Sequence, residues 1–234
     1  RMRAHPLPEA RSYADLLLEE LRKVIPSFLR RVDVPERGLA WSAYLEENHL
    51  AMKRFVTDLE RGSEVEVVSE VELIDWDPEG ERKMLAAMLY PYSRASERQL
   101  VALVDQMSAD EKLEVVKRYV GERGNRRHRP GRALERLDYR FDILGDYGGF
   151  RDMQRHRLLT IEWQSLSPDH GYEVPEAIQA AGLTDRYVGV MERSKALYEL
   201  LEPDYPEQAA YAVSMAFRVR YVCLLYTSPS PRDS

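Results

Sequence analysis

One short stretch in the second half of the chain restricts the fold more than any other. From Leu137 to Ile143 an apolar or aromatic residue alternates with a charged one. This alternation is typical of a β-strand with one buried face and one face in water. Because a single strand cannot bury its own apolar face, the stretch predicts a sheet that packs against another layer.

Helical patterns surround this strand. After Pro8, apolar residues recur at steps of three and four as far as Phe28, which is typical of an amphipathic helix. A second strand-like alternation begins at Glu64 and reaches Leu73. The sequence therefore predicts an α+β fold, in which a small, largely antiparallel sheet packs against several helices. Further helices are predicted at residues 39–59, 77–89, 108–121, 151–163, 184–201 and 205–222.

The composition of the chain excludes several classes of protein. The 234 residues, 44% of them hydrophobic and 32% charged, suffice for one good core. The net charge of −6 argues against a protein dominated by nucleic-acid binding. The single cysteine, Cys223, excludes an internal disulfide, and the five histidines lack the spacing of a metal site, so no metal is predicted. No long uncharged apolar run and no leader pattern occurs, so a cytoplasmic protein with no membrane span is expected.

The triplet Arg155-His156-Arg157 is followed by seven residues and then Ser165. A strand and a glycine turn precede the triplet, and Tyr172-Glu173-Val174-Pro175-Glu176 follows it. This arrangement resembles the signature of the flavin-dependent thymidylate synthases, the ThyX family. The resemblance implies that Arg155, His156 and Arg157 bind the cofactor FAD, and that Arg155 and Ser165 bind the substrate.

The chemistry of FAD explains why such a triplet is useful. The cofactor carries a pyrophosphate, which the planar, bidentate donors of arginine bind well, and a histidine can donate to a ring carbonyl or a phosphate near pH 7. Glu135 occupies the place of a family glutamate that helps to position flavin and nucleotide. The family reaction converts dUMP to dTMP with methylenetetrahydrofolate and NADPH, in a homotetramer whose sites are shared between subunits.

Several residues depart from the family pattern. Asp152 stands where the family has a substrate-binding Gln, Glu162-Trp163 where Asn-Glu is usual, and Ser167-Pro168 where Arg-Tyr is usual. These changes remove donors for the deoxyuridylate. The family arginine that activates the pyrimidine belongs to a later region, so the resemblance assigns no catalytic residue here. Flavin binding is better supported than catalysis.

The order of the segments predicts three parts. Residues 1–63, which contain His5-Pro6-Leu7-Pro8-Glu9, resemble the helical end of a preceding ThyX-like repeat, and residues 64–222 resemble a second, truncated ThyX-like domain. Residues 223–234 are predicted to be a non-native tail that packs poorly. The whole predicts a fragment of a tandem-repeat protein.

Two alternatives to an active enzyme stay open. The first is a non-catalytic ThyX-like repeat with a structural or flavin-binding role, which the lost substrate donors favour. The second is a helical module that binds phosphate or RNA through the basic loop from Arg123 to Arg132.

Overall fold

The computed structural model describes residues 2–32, 34–61, 69–125, 127–156 and 159–226. The chain divides into two compact units. Unit 1 comprises Arg1–Val67 and Glu199–Ala210, and unit 2 comprises Val68–Tyr198 and Tyr211–Ser234. The predicted domain boundary at residue 64 falls outside the described residues.

Unit 1 is helical. Its main helices are α1 (Pro8–Val24), α2 (Pro26–Leu29) and α3 (Ala40–Leu59), and a π-helical turn at Pro35–Leu39 precedes α3. The single helix predicted from Pro8 to Phe28 is interrupted at Ile25, which has φ −130° and ψ 49°. The interruption follows from Pro26, since a residue before proline is disfavoured in the helical conformation.

Unit 2 contains the sheet. Its strands are β1 (Val71–Trp76), β2 (Asp138–Asp146), β3 (Thr160–Trp163) and β4 (Arg218–Tyr226). They lie in the order β1-β2-β4-β3, and every neighbouring pair is antiparallel. The α+β fold with a small antiparallel sheet is therefore confirmed. Most of β2 comes from the stretch between Leu137 and Ile143, in which apolar and charged residues alternate.

Seven further helices lie within the described residues. They are α4 (Gly80–Leu89), α5 (Glu97–Gln106), α6 (Ala109–Val120), α7 (Tyr147–Met153), α8 (Glu176–Ala180), α9 (Thr184–Leu201) and α10 (Pro206–Ala209). Capping boxes at Ser96 and Ser108 fix the first turns of α5 and α6. Within the described ranges, no helix is long and apolar enough to cross a membrane.

Three clusters of buried residues form the core of unit 2. One joins α4 and α5 through Leu85, Met88 and Val104. The second packs Phe150 of α7 on Val219 and Tyr221 of β4, and the rings of Phe150 and Tyr221 lie 4.9 Å apart. The third cluster contains Met191, Val213 and Phe217. The second cluster holds α7 against the sheet.

Two predicted helices are wrong. The stretch 151–163 contains only the end of α7, and Thr160–Trp163 forms β3 because its β-branched and aromatic side chains suit an edge strand that pairs with β4. The stretch 205–222 begins as the short α10 and ends in β4. In β4, Val219 and Tyr221 are buried and alternate with two arginines, which is the period of a strand.

The predicted tail is also corrected in part. Cys223 is fully buried beside Phe150, and the residues up to Tyr226 continue β4. The prediction of poor packing is wrong for Cys223 to Leu225, because the buried alternation of β4 extends through Cys223 and Leu225 packs against the same cluster. Residues 227–234 lie outside the described residues.

Candidate functional site

Arg155 and His156, the first two residues of the signature triplet, follow the end of α7, and residues 154–156 are called the signature loop below. A series of turns closes it, since the Arg155 N–H donates to Asp152 O at 3.2 Å and the His156 N–H donates to Met153 O at 3.0 Å. The prediction that the motif lies on a helix is therefore wrong for Arg155 and His156. The third signature residue, Arg157, falls outside the described residues.

The guanidinium of Arg155 is 64% exposed and forms an ion pair with Asp152, which is equally accessible. Pairs of this kind contribute about 0 to 1 kcal/mol to stability. An anionic ligand could therefore take the place of Asp152 at small cost. The imidazole of His156 is half-buried at the same loop.

Glu135 lies in a 3-10 segment, Arg132–Arg136, just before β2. Its carboxylate accepts from Arg132 Nε at 3.0 Å. Helix α6 fixes the segment, because the Ala133 N–H donates to the Tyr119 hydroxyl at 3.0 Å. A Cβ on Gly131 would lie 2.1 Å from that hydroxyl oxygen, so a larger residue at this position would clash with the Tyr119 side chain where it now lies.

The strand register brings Glu135 and Arg155 to the same end of the sheet. Arg140 of β2 and Thr160 of β3 lie on either side of Leu224 of β4. The two strands are parallel to each other, so the segments that lead into them emerge at one end, which we call the signature end. Each side chain keeps its own local partner there. That the two share a cleft with Arg157 stays a prediction.

Ser165 lies at the opposite end of β3 from Arg155. It is exposed in the segment that follows the strand, where the neighbouring Gln164 N–H donates to Arg220 O at 3.0 Å. The strand between them spans about 10 Å at about 3.3 Å per residue. The structure of a single chain therefore separates the two residues that the resemblance assigns to substrate binding.

His170 closes the segment that carries Ser165. One of its ring nitrogens lies 3.2 Å from the Gln164 side-chain oxygen. Burial, followed by the charge of Arg220, lowers the pKa of His170 below its ordinary value. The imidazole is therefore neutral near pH 7, and it serves as a hydrogen-bonding residue of this segment.

Sequence reasoning missed a second polar region at the other end of the sheet. Arg218 is only 21% exposed and donates to Glu70 at 2.8 Å and to Glu173 at 2.5 Å. It borders a cavity of about 590 Å³ that Asp146 and Tyr187 also line. The Asp146 side chain accepts from Gly149 N at 2.8 Å and caps α7. The Asp-Tyr-Gly-Gly sequence was a signal for this cap.

Most of unit 2 matches a family of known proteins. The family model described as thymidylate synthase complementing protein matches residues 72–225. The chain belongs to this family. The match spans all four strands and the signature triplet, and so the resemblance to ThyX seen in the sequence is confirmed at the level of the family.

Individual relatives agree with this assignment. The UPF0159 protein of Chlamydia pneumoniae is 35% identical over 222 residues, which cover 94% of this chain and 42% of that protein. The chain thus spans about two fifths of the length of the curated relatives it matches.

The solved structures that match the chain include a UMP/dUMP methylase and a flavin-dependent thymidylate synthase. The UMP/dUMP methylase PolB of Streptomyces cacaoi, bound with 5-Br dUMP, superposes with a TM-score of 0.50 at 14% identity, over 69% of this chain and 75% of that one. ThyX from Helicobacter pylori, complexed with FAD and dUMP, gives a TM-score of 0.46 at 17% identity, over 68% and 79%. The PolB likeness supports the shared fold.

Proposed function

We propose that the chain is part of a longer FAD-dependent thymidylate synthase-like protein, whose reaction is the reductive methylation of dUMP to dTMP. The observation that carries this proposal is the family match over residues 72–225, which includes the signature loop. Methylenetetrahydrofolate would supply the methylene group and NADPH the electrons. A cytoplasmic location fits these substrates.

The residues at the signature end suit a flavin dinucleotide. Arg155 is exposed and, within the described part of the chain, forms its ion pair with Asp152, so a pyrophosphate could take the place of that carboxylate on its planar donors. His156, and Arg157 next to it in the sequence, would add donors, and Glu135 would orient the cofactor from the 3-10 segment. When bound, reduced FAD supplies the hydride of the family reaction.

Substrate binding is the weaker part of the site. Asp152 stands beside Arg155 and would repel a nucleotide phosphate, which carries the same sign of charge. We infer that flavin binds this chain more tightly than dUMP does. Ser165 would contact substrate only where a second subunit or another repeat contributes the arginine, since β3 separates it from Arg155.

The second candidate function is a non-catalytic repeat that binds flavin or supports another copy of the fold. The pairing of Asp152 with Arg155 favours this candidate, because it replaces a donor with an acceptor at the phosphate position. In both candidates, residues 1–63 would be the helical end of a preceding repeat. The greater length of the relatives supports such a tandem arrangement.

Assembly into a homo-oligomer, and by resemblance a homotetramer, is supported by the edge strand β1. All six of its residues are exposed, among them Val71, Leu73 and Trp76. An exposed apolar edge strand is a surface that proteins usually cover. A second copy of the chain is the occupant that the family resemblance favours.

Flavin content and isotope release together test the proposal. The purified protein should retain flavin absorbance through gel filtration. Tritium release from labelled dUMP, with methylenetetrahydrofolate and NADPH present, would identify an active enzyme. Flavin without release would identify the non-catalytic repeat. A protein that neither retains nor rebinds added FAD would overturn both the enzyme and the flavin-binding repeat, and would leave only a repeat that supports another copy of the fold.

A further inference from the structure

Unit 1 contains a groove that the proposed function does not use. It lies between α1 and the segment that leads into α3, has a volume of about 770 Å³, and is called the α1–α3 groove here. Cavities that bind small molecules in proteins measure about 300 to 1,000 Å³. The groove is therefore of a suitable size for a ligand.

The walls of the groove are apolar. Ala14 and Leu18 are buried at its base, whereas Leu17 and Trp41 remain 50% and 52% exposed. An aliphatic or aromatic ligand would remove this surface from water, at about 25 cal/mol for each Å² buried. The indole ring of Trp41 offers a flat surface on which a ring could stack.

The polar side chains of the groove carry one sign of charge. Arg3, Arg31 and Arg37 line it, and among the described residues that line it none is acidic. Arg3 is engaged by Asp15, with Nε and Oδ1 2.8 Å apart. Arginine forks bind carboxylate, sulfonate and phosphate groups through two parallel hydrogen bonds.

The backbone brings two of these arginines to the same rim. Gly38 passes so close to the Val32 carbonyl that a Cβ on residue 38 would lie 1.9 Å from its oxygen. The Gly38 N–H also donates to Val34 O at 3.0 Å. This tight turn holds Arg31 and Arg37, which flank it, beside the same apolar surface.

We propose that the α1–α3 groove binds an amphiphilic anion, a small molecule with an apolar or aromatic body and one acidic head group. The body lies against Leu17 and Trp41, and the head group pairs with Arg31 and Arg37. The groove belongs to unit 1, whereas the signature residues belong to unit 2.

Two fluorescent probes test the proposal on the full chain. Anilinonaphthalene sulfonate is an aromatic anion, and phenylnaphthylamine is a neutral ring system of similar size. The double variant Arg31→Ala/Arg37→Ala should weaken binding of the anion by about tenfold, or about 1.4 kcal/mol. Binding of the neutral probe should change less than twofold, because the apolar walls remain.

A matched control separates the groove from general surface charge. Arg30→Ala/Arg54→Ala removes the same charge from exposed positions of unit 1 that do not line the groove, and it should leave both affinities unchanged. Leu17→Glu should weaken both probes. Equal weakening of the anion by the two double variants would overturn the proposal. So would a change in oligomeric state on sedimentation of the Arg31→Ala/Arg37→Ala variant, since the groove would then be an interface between copies.

Discussion

The two ends of the sheet in unit 2 are constructed differently. At the end that carries Arg218, contacts join distant parts of the chain, since Arg218 is 148 residues from Glu70 and 45 from Glu173. At the signature end, Arg155 pairs with Asp152 and Glu135 with Arg132, each three residues away. The first arrangement can form only after folding, whereas the second is local and easily replaced.

This difference indicates that the Arg218 end stabilises the fold, whereas the signature end is available to bind a ligand. Hydrogen bonds from Tyr147 N to Phe217 O and from Gly148 N to Met215 O anchor α7 at the Arg218 end. The same helix carries the signature loop at its other end. A ligand at the loop would compete only with surface ion pairs, and the anchored end would keep the loop in place.

Phe150→Ala should have the largest effect, because it removes the ring that fixes α7 between the two ends. Phe150 is 2% exposed and packs on Tyr221. Removal of a buried phenylalanine ring costs about 3 to 5 kcal/mol of unfolding free energy. Urea denaturation measures the loss, with Phe28→Ala at an exposed position of unit 1 as the control. A loss below about 1 kcal/mol would mean that α7 is held by other contacts.

Arg155→Ala combined with Arg157→Ala tests the signature end alone. The variant should lose flavin, with affinity reduced at least tenfold, while its unfolding free energy changes by less than about 0.5 kcal/mol. Flavin absorbance after gel filtration measures retention. Ser165→Ala, beyond the far end of β3, should retain flavin. Full retention by the arginine variant would exclude the loop as the cofactor site.

Arg218→Gln tests the Arg218 end of the sheet. It should lower the unfolding free energy and leave flavin affinity unchanged. Glu70 and Glu173 are mostly exposed, so solvent screening limits the loss of unfolding free energy to about 1 kcal/mol. Flavin retention should be unchanged. Thermal unfolding followed by circular dichroism, with and without FAD, separates the two quantities. A loss of flavin without a loss of stability would show that the Arg218 cavity takes part in binding.

Asp152→Asn should have the smallest effect, a slight increase in affinity for flavin and for dUMP. Without the carboxylate, Arg155 loses the acidic partner that it has among the described residues, so binding of flavin and of dUMP should tighten about two- to fivefold. Stability should change by less than about 0.5 kcal/mol. Isothermal titration at low and high salt measures both affinities. Weaker binding in the variant would mean that the carboxylate orients Arg155 toward the ligand.

The sequence predicted those parts of the fold that depend on local patterns. The alternation before Ile143 located β2, and Ser108 located the start of α6 through its capping box. A similar box at Ser96 marks the start of α5, a helix that is absent from the predicted elements. The signature triplet gave the family, because its residues and spacing are specific.

Long-range pairing limited the rest of the prediction. The sequence predicts a helix where β4 lies, because the partner strands are far away in sequence and only pairing with β2 and β3 establishes the strand. For the same reason the ion pairs of Arg218 could not be foreseen. The packing of Phe150 on β4 positions α7, which ends at Met153, so Arg155 and His156 follow the helix rather than lie within it.

Because Gly131 lies so close to the Tyr119 hydroxyl, the side chains that are possible at residues 119 and 131 depend on each other. A methyl group at residue 131 needs the space that the phenol now fills, so Gly131 can be enlarged only if Tyr119 becomes smaller. A smaller residue 119 in turn leaves the Ala133 N–H without its acceptor. Variation at these two sites should therefore be paired, and each exchange should also alter the orientation of the glutamate two residues beyond Ala133.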